Sequence, residues 1–220
     1  MARRPSKDDI KRIWGDSPVK IFITHTASQK ANAAEIRDGF AVFGVAAFVA
    51  HEDIHPTVEW QNEIENALFT CDVLLALLTP DFKGSDWCDQ EVGIAVARGV
   101  PIISLKYGVD PYGFIGKYQA YNTTGKNSGT VTTDILKLLI LKPHLTDNIV
   151  LLVADRMKTS RSFESSKRMM ELIEASDRKD SGVAERLREA LKNPQVKESW
   201  GVPERIQKYI EEVEDAEIPF

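Results

Sequence analysis

Cysteine is nearly absent from this chain of 220 residues, which has only Cys71 and Cys88. Two cysteines provide no disulfide framework and suit a reducing compartment. A basic excess is missing as well. Lys and Arg number 28 against 33 Asp and Glu, for a formal net charge of −5. The signs are well mixed: residues 1–144 carry 15 basic against 17 acidic side chains, and residues 145–220 carry 13 against 16. Neutralising a phosphate backbone needs a basic face, so no nucleic-acid partner is expected. Long apolar runs are lacking too. VLLALL, VGIAVA and ILKLLIL fall far short of the roughly 20 residues a membrane span requires, so no membrane partner is expected. The opening MARRPSKDDIKRIW has charge but no apolar stretch behind it, which argues against a signal peptide and for a cytoplasmic protein.

What is present is ordinary globular composition, 43% hydrophobic and 28% charged. Such a length and balance can bury one sizeable core plus an appendage. From Val19 onward, short apolar runs alternate with helical patterns. VKIFITH, VAAFVA, DVLLALLTP and PIISLKYG read as buried strands. SQKANAAEIRDGFAVFG, WQNEIENALFT and SDWCDQEVGIAVARG read as the helices between them. The first of these stops at Gly44; the third is capped by Ser85 or Asp86 and stopped by Gly99. This alternation predicts a parallel sheet covered on both faces, with ligands beyond the carboxyl ends of its strands. The loops His25–Gln29, His51–Glu59 and Pro80–Glu91 should therefore share one rim.

After Gly108 a stretch rich in Gly, Asn and Thr predicts a long loop, followed by the helix TTDILKLLILK. GKNSGT within it lacks the order of a phosphate loop and has no strand leading into it. From Leu145 the pattern is helical. TDNIVLLVADRMK should start at a Thr cap, and SFESSKRMMELIEA, SGVAERLREALKNP and VPERIQKYIEEVE follow. The expected organisation is an N-terminal segment (1–17), an α/β domain (18–142) and a helical extension (145–220).

SDWCDQE, at residues 85–91, is the most suggestive stretch. Positions i and i+4 share a helix face, so Trp87 and Glu91 stack one above the other. The plain reading is an exposed cap and a solvated carboxylate. The alternative is an aromatic wall beside a working carboxylate.

The segments VKIFITHTASQKANAAEI, FVAHEDIHPTVEWQNEIENAL, DVLLALLTPDFKGSDWCDQEVGIAVARG and PIISLKYGVDPYGF, in this order, resemble a bacterial Toll/interleukin-1 receptor (TIR) domain. The resemblance covers about residues 18–140. Two departures stand out: Ser28-Gln29-Lys30 where the family often has an acidic residue, and Pro56-Thr57 where it often has glycine. The resemblance implies a flavodoxin-like α/β fold, here with a helical C-terminal extension. It also implies cleavage of NAD+ between nicotinamide and ribose, with NAD+ as substrate and no separate cofactor. Glu91 of the W-x-x-x-E element (Trp87 to Glu91) would be the catalytic residue. Expected substrate-binding residues are Trp87, His25, Thr26, Asp53 and Trp60. The alternatives are a wedge closing its helix onto the sheet for Trp87 and a cap on a backbone carbonyl for His25; for Trp60 a core position is the more usual reading. The product would be ADP-ribose or a cyclic isomer, and the setting anti-phage immunity of the Thoeris type. Implied partners are further copies of the TIR domain and a downstream effector that senses the product. A TIR adaptor without enzymatic activity is the alternative.

HEDIH (51–55) matches the H-E-x-x-H zinc motif. That motif works on a helix, whereas here it follows a strand and precedes Pro56, so no metal site is expected.

Overall fold

The computed structural model describes residues 5–50 and 60–217. They form two compact units, one of residues 1–41 and 45–131, the other of residues 42–44 and 132–220.

The first unit is built on a five-stranded sheet. In chain order its elements are α1 (Lys7–Trp14), β1 (Lys20–Thr24), α2 (Lys30–Val42), β2 (Ala46–Val49), α3 (Trp60–Thr70), β3 (Val73–Leu78), α4 (Asp86–Arg98), β4 (Ile102–Lys106) and β5 (Tyr121–Asn122). The strands lie in the order β2-β1-β3-β4-β5 and every pairing is parallel. All six residues of β3 are buried, as expected of an apolar run packed on both faces. The chain leaves β1 toward β2 on one side and leaves β3 toward β4 on the other. The loops after β1 and β3 thus diverge, opening a crevice at the carboxyl end of this strand pair.

Helix α1 falls in a segment whose pattern had suggested no element. Ser6 and Asp9 cap it reciprocally, with the Asp9 amide donating to Ser6 Oγ at 3.1 Å and the Ser6 amide to Asp9 Oδ2 at 3.0 Å. Its far end is tied to α3: the Trp14 indole donates to Thr70 Oγ1 at 2.7 Å, and Arg12 Nε to Glu63 Oε1 at 3.2 Å.

Helix α4 begins at the Ser85 cap and ends at Gly99, whose φ of 67° is the left-handed conformation glycine tolerates best. Arg98 in its last turn donates to the carbonyl oxygens of Leu68 and Cys71, the latter at 3.0 Å. This clamp holds α4 against the end of α3.

Three sequence expectations need correction. Residues 27–29 form a tight turn ahead of α2. The region expected as a long loop contains β5 and a tight turn at 113–115, and the helix after it, α5 (Ser128–Ile140), starts earlier than the apolar pattern suggested. The next helix, α6 (Pro143–Met157), starts at Pro143, preceded by Lys142 as its cap. Thr146 lies inside the first turns, its hydroxyl donating to the Ile140 and Lys142 carbonyl oxygens at 2.6 and 3.0 Å. Proline is preorganised for a helix start, and that preference prevails over the Thr cap.

The second unit is helical: the end of α5, then α6, α7 (Phe163–Ala175), α8 (Ser181–Ala190), the short α9 (Pro194–Lys197) and α10 (Val202–Glu217). The stripes Ile149–Val153–Met157, Val183–Leu187 and Ile206–Tyr209–Ile210–Val213 are buried as the helical period requires. Among the described residues, no helix is long and apolar enough to cross a membrane.

Candidate active site

A cleft of about 400 Å³ lies at the crevice beyond β1 and β3. The end of β1 brings Ile23, His25 and Thr26 to its lining, and the end of β2 brings Ala50. Helix α3 adds Trp60 and Ile64. Asp81, Gly84 and Ser85 come from the loop after β3, and Trp87, Cys88 and Glu91 from α4. Five of the six residues expected at the site therefore meet in one cavity. The sixth, Asp53, lies outside the described residues, as does HEDIH.

Glu91 is only 6% exposed, and no cation pairs with it among the described residues. Burial disfavours its charge and pushes its carboxyl up to about 7; Thr24, the last residue of β1, opposes that shift in part. The plain reading of Glu91 as a solvated carboxylate is thus incorrect. It sits one turn deeper in α4 than Trp87, on the face turned inward. Thr24 Oγ1 is buried with no hydrogen-bond partner among the described residues, although it lies close enough to Glu91 and to the Cys88 thiol to favour charge on each. Burial pushes the Cys88 thiol up, so Cys88 behaves as a packing residue.

Trp87 is 44% exposed and therefore no buried wedge, and Trp60 is 43% exposed and therefore no core residue. Their rings meet at 4.9 Å between centroids, tilted by 59°. The pair makes an aromatic wall beside the carboxylate. His25 lines the cleft, and its Nδ1 lies 3.4 Å from the Ile23 carbonyl oxygen, the backbone contact expected of it.

Thr26 belongs to a hydroxyl relay that the sequence did not announce. Its Oγ1 is 2.9 Å from Ser28 Oγ and 3.3 Å from Thr79 Oγ1, and Ser28 Oγ donates to Asp81 Oδ2 at 3.0 Å. These hydroxyls, Thr79 foremost, hold the exposed Asp81 carboxyl below its ordinary value. Asp81 falls within the rim loop expected from the sequence, but no spacing rule singled it out. Thr24 carried no signal, since a threonine in IFIT reads as an ordinary strand residue. Among the described residues, no group of three or more His, Cys, Asp or Glu side chains could hold a metal ion.

A parallel sheet in this order, with a part-apolar cleft at its switch point and a buried carboxylate on the cleft wall, defines a doubly wound α/β protein whose cleft lies where such folds place their ligands. A family model described as the TIR domain matches residues 21–137, more than half of the chain, and the chain belongs to that family. It is 25% identical over 99 residues to the "Probable 2' cyclic ADP-D-ribose synthase BdTIR" of Brachypodium distachyon. That match covers 44% of this chain and 44% of the plant protein, so the chain spans less than half of that relative's length. Among solved structures, the TIR domain of the Toll-related receptor TRR-2 from Hydra magnipapillata aligns with 58% of this chain and 96% of its own. Its TM-score is 0.43 and its identity 14%.

Proposed function

We propose that the cleft cleaves NAD+ between nicotinamide and ribose, giving nicotinamide and either ADP-ribose or a cyclic ADP-ribose isomer. The observation that carries this reading is Glu91, a buried carboxylate with no cation partner among the described residues, set beside an aromatic pair in a cavity at the switch point. The plant relative supports it. Its name is that of a synthase of 2′ cyclic ADP-D-ribose, a product that retains the part of NAD+ left when nicotinamide departs.

The chemistry suits one carboxylate. As the C1′–N bond breaks, its electron pair goes to the ring nitrogen and a cationic pyridinium becomes a neutral base. No general acid is required to protonate that leaving group. Positive charge develops on the ribose as an oxocarbenium ion, as in glycoside hydrolysis. In a site of low polarity, the Glu91 carboxylate offsets that charge strongly and accepts hydrogen bonds from the ribose hydroxyls. An incoming pyridinium also favours the ionised form of a carboxyl that would otherwise be half protonated near neutral pH. A water molecule attacking C1′ and losing its proton gives ADP-ribose. If the Trp60–Trp87 wall excludes water, a nucleophile elsewhere in the same molecule attacks instead and closes a ring.

An open rim is a poor place for an oxocarbenium ion. We infer that residues 51–59 of a second copy complete the site, a heterologous contact that builds open strands unless it closes into a ring. On this reading the helical extension modulates assembly, and the product signals to an effector in anti-phage immunity. Incubation of the full chain with NAD+ and chromatographic separation of nicotinamide, ADP-ribose and cyclic isomers tests the activity. Absence of nicotinamide release at every protein concentration would leave the adaptor reading.

A further inference from the structure

The charge of the cleft bears on what it selects. Its described lining includes two carboxylates, Asp81 and Glu91, and no Lys or Arg. Two tryptophans in ring contact complete the wall. Carboxylates and aromatic faces without a competing cation are the chemistry that holds organic cations; phosphate binding calls for the reverse.

We propose that Asp81 is the specificity-determining residue of this cleft, selecting a ligand whose ring carries a positive charge, an N-substituted pyridinium, over a neutral ring of the same shape. The proposal rests on the NAD+ reading and refines it, since the nicotinamide ring of NAD+ is such a cation. Asp81 is suited to the task by how it is held. Ser28 donates to it, and the Thr79–Thr26–Ser28 hydroxyls tie the loops after β1 and β3 to one another at the crevice. The Ser28 hydrogen bond orients the carboxylate in the cleft lining, and the hydroxyls around it favour its charged form. Once the C1′–N electron pair has moved to the ring, nicotinamide is neutral, the attraction to Asp81 is gone, and the product leaves.

The test compares two ligands of one shape, the cation 1-methylnicotinamide and neutral nicotinamide, by NMR titration against the full chain. The wild type should favour the cation by about tenfold, the scale of one charge contact at a partly exposed site. Asp81→Asn keeps an acceptor for the Ser28 hydroxyl and removes only the charge. It should bring the ratio close to one, leave nicotinamide affinity within about twofold, and raise KM for NAD+ several-fold with kcat little changed. Asp81→Glu, which restores the charge, should recover much of the preference. If Asp81→Asn does not fold, salt titration of the wild type replaces it: added salt must weaken cation binding and spare the neutral ligand.

An unchanged ratio in Asp81→Asn, a salt-independent preference, or no measurable cation binding to the wild type each overturns the proposal. The two readings fail separately. Cation selectivity that depends on Asp81 in a chain that never releases nicotinamide would sink the NAD+ reading alone. Turnover that depends on Glu91 with selectivity indifferent to Asp81 would sink this one alone.

Discussion

In the helical unit, Ser166 is fully buried, and its hydroxyl lies 2.8 Å from Ser160 Oγ, 3.1 Å from the Ser162 carbonyl oxygen and 2.8 Å from that of Gln195. Asn193 in the same unit donates from one amide group toward the Met157, Lys158 and Ser160 carbonyl oxygens. In the α/β unit, Glu91 is buried with no cation to neutralise it among the described residues, and only the nearby Thr24 hydroxyl favours its charge. The difference holds within the α/β unit as well. Glu63, also buried, is held by the Arg12 guanidinium, as a structural charge should be. Polar groups that merely support a fold are satisfied where they lie. Around Glu91 the burial is uncompensated by charge, and a raised carboxyl on a cleft wall is the pattern of a working group more than of a supporting one.

The sharpest way to break this contrast is to change Glu91 and the Arg12 partner of Glu63. Glu91→Gln should lower NAD+ cleavage on the order of a hundred-fold or more while the protein remains folded. It should also be stabilising. Because the folded carboxyl is raised to about 7 from an ordinary 4.5, the folded state holds the proton more tightly than the unfolded chain. Stability of the wild type therefore falls as pH rises from about 4.5 to about 7, by at most about 3 kcal/mol, and the variant should lack that slope. Removing Arg12 should do the opposite and cost about 3 kcal/mol, because it strands a buried charge. Melting temperatures of the two variants across this pH range check both signs. A Glu91→Gln protein that melts earlier than the wild type at pH 8 would contradict the account of Glu91 as a strained, functional carboxylate.

A smaller effect is expected at the aromatic wall. Trp87→Ala should lower turnover by about tenfold or shift the product from cyclic isomers toward ADP-ribose, because water then reaches the oxocarbenium ion. Early melting with an unchanged product ratio would assign the Trp60–Trp87 contact to stability alone.

Thr24 provides the next step down. Cleavage should rise with pH through about 7, as Glu91 ionises, and then level off. Thr24 favours the charged carboxylate, so Thr24→Val should move that acid limb to higher pH and cut activity a few-fold below neutrality. Thr24→Ser should restore it. A pH–rate profile identical in Thr24→Val and wild type would show that the hydroxyl does not act on Glu91.

The smallest functional effect belongs to the helical unit. Ser166→Ala should cost about 1–2 kcal/mol by stranding carbonyl groups, and leave kcat and KM unchanged at a given state of assembly. A changed pH–rate profile in that variant would erase the distinction between the two units.

Much of this was legible in the sequence, for a local reason. The order of strands and helices follows from apolar runs and helical periods, which are properties of neighbours along the chain. That Trp87 and Glu91 share a face of α4 follows from 3.6 residues per turn. The misjudged element starts, at Ser128 and Pro143, are places where loop chemistry and proline outweigh the apolar pattern. Helix α1 escaped notice because it is only eight residues long: Ile10, Ile13 and Trp14 make one short i, i+3, i+4 stripe, and capping and the contacts to α3 hold it.

Only the tertiary structure decided how the cleft works. Trp60 and Trp87 meet because Arg98 ties α4 to the end of α3. Thr24 lies close to Glu91, and Asp81 is held by Ser28, because parallel β1 and β3, separated in sequence by two helices and a strand, end side by side. Whether a carboxylate is solvated, paired or left buried without a partner depends on which distant segments pack around it. Desolvation and hydrogen bonding are properties of that packed environment, and residue spacing along the chain does not record them.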